Sequence, residues 1–175
     1  MVPETVWPEA LDETNSGKEL YRNYLIPITM VISIMVLLIN LIHYNFWQAT
    51  GLTIINLIAM LIGNWFAYLI TREYLCRKLS FDTNLALNLT VYSGVIFIIF
   101  HSIGNALGNI FLGQLFTLLS FIFIRTLYKG LGQIPRLHPG QKTNILVISS
   151  LAIICIPVII NQLLMIIFGI SAFNI

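Results

Sequence analysis

Long apolar stretches separated by short polar ones organise this chain from end to end. Five of them read as helical spans, at about 25–42, 52–70, 85–103, 110–127 and 145–170. Each is close to the roughly 20 residues that a helix needs to cross about 30 Å of hydrocarbon. None alternates apolar and polar positions over about ten residues, the mark of a membrane β-strand. Continuous apolar segments of this length satisfy their own backbone in lipid as helices. The pattern therefore predicts an all-α, polytopic transmembrane bundle of five spans over 25–175, preceded by a short segment, 1–24. Span five is the longest. About 26 residues at 1.5 Å each reach about 39 Å, so it is expected to tilt or bend, with Pro157 as the natural kink.

Polar and special residues punctuate the runs. Pro27 falls in the first turn of span one, where a missing N–H costs little. Tyr44, Phe46 and Trp47 form an aromatic belt after that span. Gly104 to Gly113 reads as a tight turn between spans three and four. Gly130, Gly132, Pro135, Pro139 and Gly140 make 128–143 a turn-rich connection rather than a helix. In the leading segment, Val6, Trp7, Ala10 and Leu11 recur at helical spacing opposite Glu4, Glu9, Asp12 and Glu13. That predicts a two-turn helix at the interface, with Trp7 at headgroup depth, ended by Asn15-Ser16-Gly17. No small-residue cleavage site follows the first apolar run, which is expected to remain as the first span.

Charge adds an orientation. All nine Lys and Arg residues fall before span one (Lys18, Arg22), between spans two and three (Arg72, Arg77, Lys78), or between and beside spans four and five (Arg125, Lys129, Arg136, Lys142). Cationic side chains resist translocation, so this alternation predicts a cytoplasmic N-terminus and an outer C-terminus. Composition agrees with the class. The chain is 58% hydrophobic and 9% charged, where soluble domains carry about a quarter charged residues. A net charge of +2 is too small to suggest nucleic acid.

Candidate chemistry is sparse. No Asp, Glu or Lys lies in the middle of a span, which weighs against a proton-coupled carrier. No catalytic motif appears, so the reading is non-enzymatic, with no cofactor and no metal expected. His43 and His101 approach the outer surface without a carboxylate or Cys to complete a metal site. Cys76 and Cys155 read as packing residues. Asn56, Asn64, Asn88, Asn161 and Gln162 read as buried amides, whose ordinary role is to bond between helices and whose sharper role is to line a polar pocket near Pro157. Gly104-xxx-Gly108 has the spacing of a close helix contact but straddles a turn. Arg125, Tyr128, Lys129 and Lys142 gather on the cytoplasmic side as a candidate contact for a partner or lipid, with Trp7 as a second. The simpler reading of Arg125 is snorkelling, or pairing with Glu73 or Asp82.

Three stretches carry a family resemblance. They are Pro3-Glu4-Thr5-Val6-Trp7-Pro8-Glu9-Ala10 with Tyr21-Arg22-Asn23-Tyr24-Leu25-Ile26-Pro27, then Leu89-Thr90-Val91-Tyr92-Ser93, and Tyr128-Lys129-Gly130-Leu131 followed by Pro135 and Lys142. In these the chain resembles the YIP family of Ypt/Rab-interacting membrane proteins, in its compact bacterial form. Gly94-Val95 stands where many members carry a proline. The resemblance implies a five-span bundle with a cytoplasmic N-terminus, a bacterial inner membrane as the setting and no catalytic chemistry. Binding of a Rab-type GTPase does not carry over, because the leading segment is too short for a comparable binding region. The function expected is to bind or organise membrane components through the cytoplasmic face, the partners being lipids and other membrane proteins or further copies of the chain. The alternatives are a passive channel or carrier lined by the buried amides, and a subunit of a larger transporter.

Overall fold

The structure is a computed structural model that describes residues 17–75, 83–108, 110–134 and 137–169. Among these residues the regular structure is all helix, with no strand, and five helical segments are long and apolar enough to cross a membrane. The first span opens with a short helix, α1 (Gly17–Leu20), and a π-helical turn at Tyr21–Leu25, and continues as α2 (Ile26–His43). The second is α3 (Phe46–Glu73) and the third α4 (Thr83–Leu107). The fourth is made of two pieces, α5 (Phe111–Leu119) and α6 (Ile122–Gly132), and the fifth is α7 (Pro139–Ile167).

The apolar runs mark the spans, but the helices outgrow them. α3 has 28 residues and α7 has 29, lengths of about 42 and 44 Å that exceed the hydrocarbon core and carry their ends into the interfaces. The expectation of a non-helical connection over 128–143 is corrected. Helix persists to Gly132 and resumes at Pro139. Proline at the first helical position lacks only an N–H that would be unpaired there anyway. His138 and Gln141 close a reciprocal cap before it, with the His138 N–H donating to Gln141 Oε1 at 3.1 Å. Phe46 and Trp47, expected in a connecting belt, form the first turn of α3 and are exposed.

Span four is not the continuous helix that its run suggested. Ser120 Oγ donates to the Thr117 carbonyl at 2.6 Å. Around it the backbone tightens, Phe121 N–H bonding the Leu118 carbonyl and Phe123 N–H the Ser120 carbonyl. A side chain that captures a carbonyl of its own helix is a known cause of a break in the ladder.

α3 and α7 are packed antiparallel along their lengths. Thr71 Oγ1 donates to Ser149 Oγ at 3.0 Å, and eight residues along, Gly63 meets Pro157. A Cβ added to Gly63 would lie 2.5–2.8 Å from Pro157 Cγ, Cα and Cβ. Pro157 thus sits inside an unbroken α7, buried against a residue with no side chain. α4 is the most buried span, with Leu87, Leu89, Phe97 and Ile98 in the main core. Tyr24 of the π-turn meets Tyr92 edge-on, and nearer the other end Val36 and Ile103 share a second cluster, so α2 and α4 run parallel. These directions gather the described Lys, Arg, Asp and Glu side chains toward one end of the bundle, the charged end.

Candidate functional site

Polar atoms inside an apolar bundle either satisfy themselves or point to something else. Most hydroxyls here take the first course. Thr29, Ser33, Thr53, Thr90 and Thr117 each donate to the carbonyl four residues earlier. Such bonds close within one helix and need no partner helix.

Asn64 of α3 is bound between helices. Its Oδ1 accepts from Tyr21 Oη at 2.9 Å, and its Nδ2 lies directly over Gly94 of α4, where a Cβ would collide with it. Tyr21 also meets the Trp65 ring edge-on at 5.2 Å. The π-turn that places Tyr21 is therefore tied to α3, and Gly94 is small because an amide occupies the space of its side chain. Asn88 is fully buried on α4. Asn161 is buried on α7 with Oδ1 unbonded and Nδ2 at 4.0 Å from Met165 Sδ. Gln162, expected beside it in a polar pocket, is exposed on the outer surface of α7. One residue is about 100° around a helix, enough to turn a side chain from bundle to surface. Cys155 likewise faces outward rather than packing inside.

A small polar cavity does exist, away from Pro157 and at the uncharged end of the bundle. It holds about 60 Å³ between α2, α3, α4 and the end of α7, and Asn40, Asn56, Ser102, Asn105 and Met165 line it. Asn56 is the one sequence-picked amide on its wall. Asn40, Ser102 and Asn105 lie near span ends, where a polar side chain gives no signal in the sequence that it lines a cavity. His101, next to Ser102, stacks on Phe97 with ring centroids 4.7 Å apart, and His43 is exposed at the end of α2. No group of three or more His, Cys, Asp or Glu among the described residues could hold a metal.

At the charged end, α6 buries Phe123, Leu127, Gly130 and Leu131 on one face. Their spacing of four, three and one leaves Arg125 and Tyr128 on the other. Arg125 is exposed, Tyr128 is 62% exposed, and Lys129 and Lys142 are half-buried. Ile134 and Leu137, both buried, anchor the connection that brings the end of α6 to the start of α7, so Lys129 and Lys142 share this end. Lys129, in the last turn of α6, complements the helix dipole, whereas Lys142, in the first turn of α7, opposes it. Arg72 lies over the Tyr68 ring at 5.9 Å, a cation–π contact that occupies it within α3. The segment around Trp7 lies outside the described residues, as do Cys76, Asp82, Pro135 and Arg136. Gly104 of the small-residue motif packs within the chain, since a Cβ there would meet Thr117 Oγ1 of α5 at 2.6 Å. No family model, curated protein or solved structure matches the chain.

Proposed function

We propose that this is a non-catalytic integral membrane protein, of the YIP-like type that its motifs resemble, which binds or organises membrane partners through its charged end. On this reading that end is cytoplasmic, the N-terminus is inside and the C-terminus outside, and the setting is a bacterial inner membrane. The observation that carries the proposal is the set Arg125, Tyr128, Lys129 and Lys142. Tyr128 is a large aromatic left 62% exposed beside cations. Lys142 stands where a cation costs its helix about 0.3–1 kcal/mol, so helix stability does not explain its place. Aromatic and cationic side chains together suit an anionic lipid headgroup region or an acidic patch on a neighbouring protein.

The test is a photo-crosslinking residue at Tyr128 in living cells, since that side chain is 62% exposed. Capture of one dominant protein or lipid supports the proposal. Self-crosslinks alone would point to a homo-oligomer and to the second reading, a passive channel or carrier. The cavity at the uncharged end favours that second reading, while the close seat of Pro157 on Gly63 closes the seam between α3 and α7 and disfavours a path there. Purified protein that passes no ions or small neutral solutes in liposomes would remove it.

A further inference from the structure

α3 carries two exposed tryptophans, and their spacing fits a bilayer. Trp47 is 82% exposed and Trp65 45%. They stand 18 residues apart on one continuous helix. That is about 27 Å along the axis, close to the roughly 30 Å of a hydrocarbon core. Indole rings settle at the two boundaries of that core. Trp65 therefore marks the boundary at the charged end, and what lies just beyond it on α3 is at the depth of lipid phosphates.

What lies there is the charge of Arg72. Its Cα is about 10 Å further along the helix, but side chains of a helix lean back toward its N-terminus. The guanidinium accordingly lies over the Tyr68 ring at 5.9 Å. Tyr68 meets Trp65 with ring centroids 5.4 Å apart, and Trp65 is braced by Tyr21 of the first span at 5.2 Å. The charge is thus held about one turn beyond the indole, on the same stripe of α3. Both groups are donors without an acceptor. Among the described residues nothing accepts from the Arg72 guanidinium or the Trp65 N–H, and neither Glu19 nor Glu73 pairs with Arg72. Arg22, Arg125 and Lys142 are likewise unpaired with a described carboxylate, but no ring holds their charge.

The complement of two donors at that depth is a phospholipid headgroup. Its phosphate suits the planar fork of a guanidinium, and its ester carbonyl suits an indole N–H. Below Trp65, Ile58 and Ile62 continue the exposed stripe, a track for an acyl chain. Hydrocarbon contacts hardly discriminate in a membrane, so the choice of lipid rests on the polar groups. A headgroup of net negative charge complements the unpaired cation, whereas the ammonium of a zwitterionic one offsets the attraction. We propose that Trp65, Tyr68 and Arg72 form a binding site for one anionic phospholipid on the α3 surface at the charged end. The site shares no residue with the set on α6 and α7, so either can fail without the other.

The test is native mass spectrometry of the full chain in a non-ionic detergent, titrated with phosphatidylglycerol, with phosphatidylcholine or with inorganic phosphate. Phosphatidylglycerol should bind saturably and more tightly than phosphatidylcholine. Arg72→Gln should weaken it by about tenfold or more, as expected for a lost charge-assisted hydrogen bond. Arg72→Lys keeps the charge but not the fork and should fall between. Trp65→Phe should cost about two- to tenfold through the lost N–H. Arg22→Gln removes an exposed charge at the same end and should leave the affinity within about twofold. Equal binding of the two lipids would overturn the site. So would an equal loss at Arg22 and Arg72, the mark of diffuse attraction. Displacement of the lipid by inorganic phosphate would overturn the lipid as its ligand. The set on α6 and α7 is read separately, by crosslinking from Tyr128.

Discussion

Gly63 and Asn64 are neighbours in sequence that hold two different seams. Gly63 lets Pro157 of α7 approach α3 closer than any side chain allows. Gly63→Ala should therefore cost stability by overpacking, about 1–3 kcal/mol, and more if α7 must shift; a lower Tm and less folded protein in detergent would show it. Asn64 faces the other way, to Tyr21 and Gly94. Tyr21→Phe removes one interhelical hydrogen bond and should cost about 0.6 kcal/mol, the typical figure for such bonds in membrane bundles. Gly94→Ala should cost more than Tyr21→Phe, since it drives a methyl into the amide rather than deleting a bond. The same thermal assay ranks the two. Both amides and glycines stand out in the sequence by residue type, yet nothing in it says which glycine faces which amide.

Among the elements, α6 and α7 carry the clearest division between stability and function. α6 is amphipathic, and its buried face is legible from the spacing of Phe123, Leu127 and Leu131. α7 starts with a reciprocal His138–Gln141 cap and, in its first turn, with Lys142 and no acid. Lys142→Glu should favour the helix by about 0.6–2 kcal/mol, because it removes an opposing charge and adds a complementary one, each worth about 0.3–1 kcal/mol. If the cations of this end bind a partner, the same change should reduce crosslinking from Tyr128. A variant that is at least as stable and still captures the partner fully would exclude Lys142 from the contact. The broken span four was hidden in the sequence. Its apolar run is continuous, and the break depends on whether Ser120 bonds a carbonyl of its own helix or turns elsewhere, which composition does not reveal.

For the whole molecule, the alternation of charge predicts a testable topology. A C-terminal alkaline phosphatase fusion should be active and a C-terminal fluorescent protein dark, and the reverse pair would overturn the orientation proposed above. The bundle is consistent with that count in its internal directions, with α3 and α7 antiparallel and α2 and α4 parallel. Its two ends differ in kind. One gathers the cations and an exposed aromatic residue, and the other holds a small cavity lined by neutral polar and apolar side chains.

The class of the protein, the number of its spans and their approximate places follow from the sequence by itself. Transfer of a run of about 20 residues into hydrocarbon depends on that run alone, so the signal is local and additive. Which face of each helix meets which neighbour is another matter. Lipid is as apolar as a helix interface, so a span carries little pattern to separate the two. Gln162 beside Asn161 illustrates the consequence, one exposed and the other buried. The seat of Pro157 on Gly63, the pairing of Asn64 with Tyr21 and the grouping of Asn40, Asn56 and Ser102 from three helices around one cavity were decided only by tertiary packing. Those contacts join residues far apart in the chain, and their energies exist only once the helices have met.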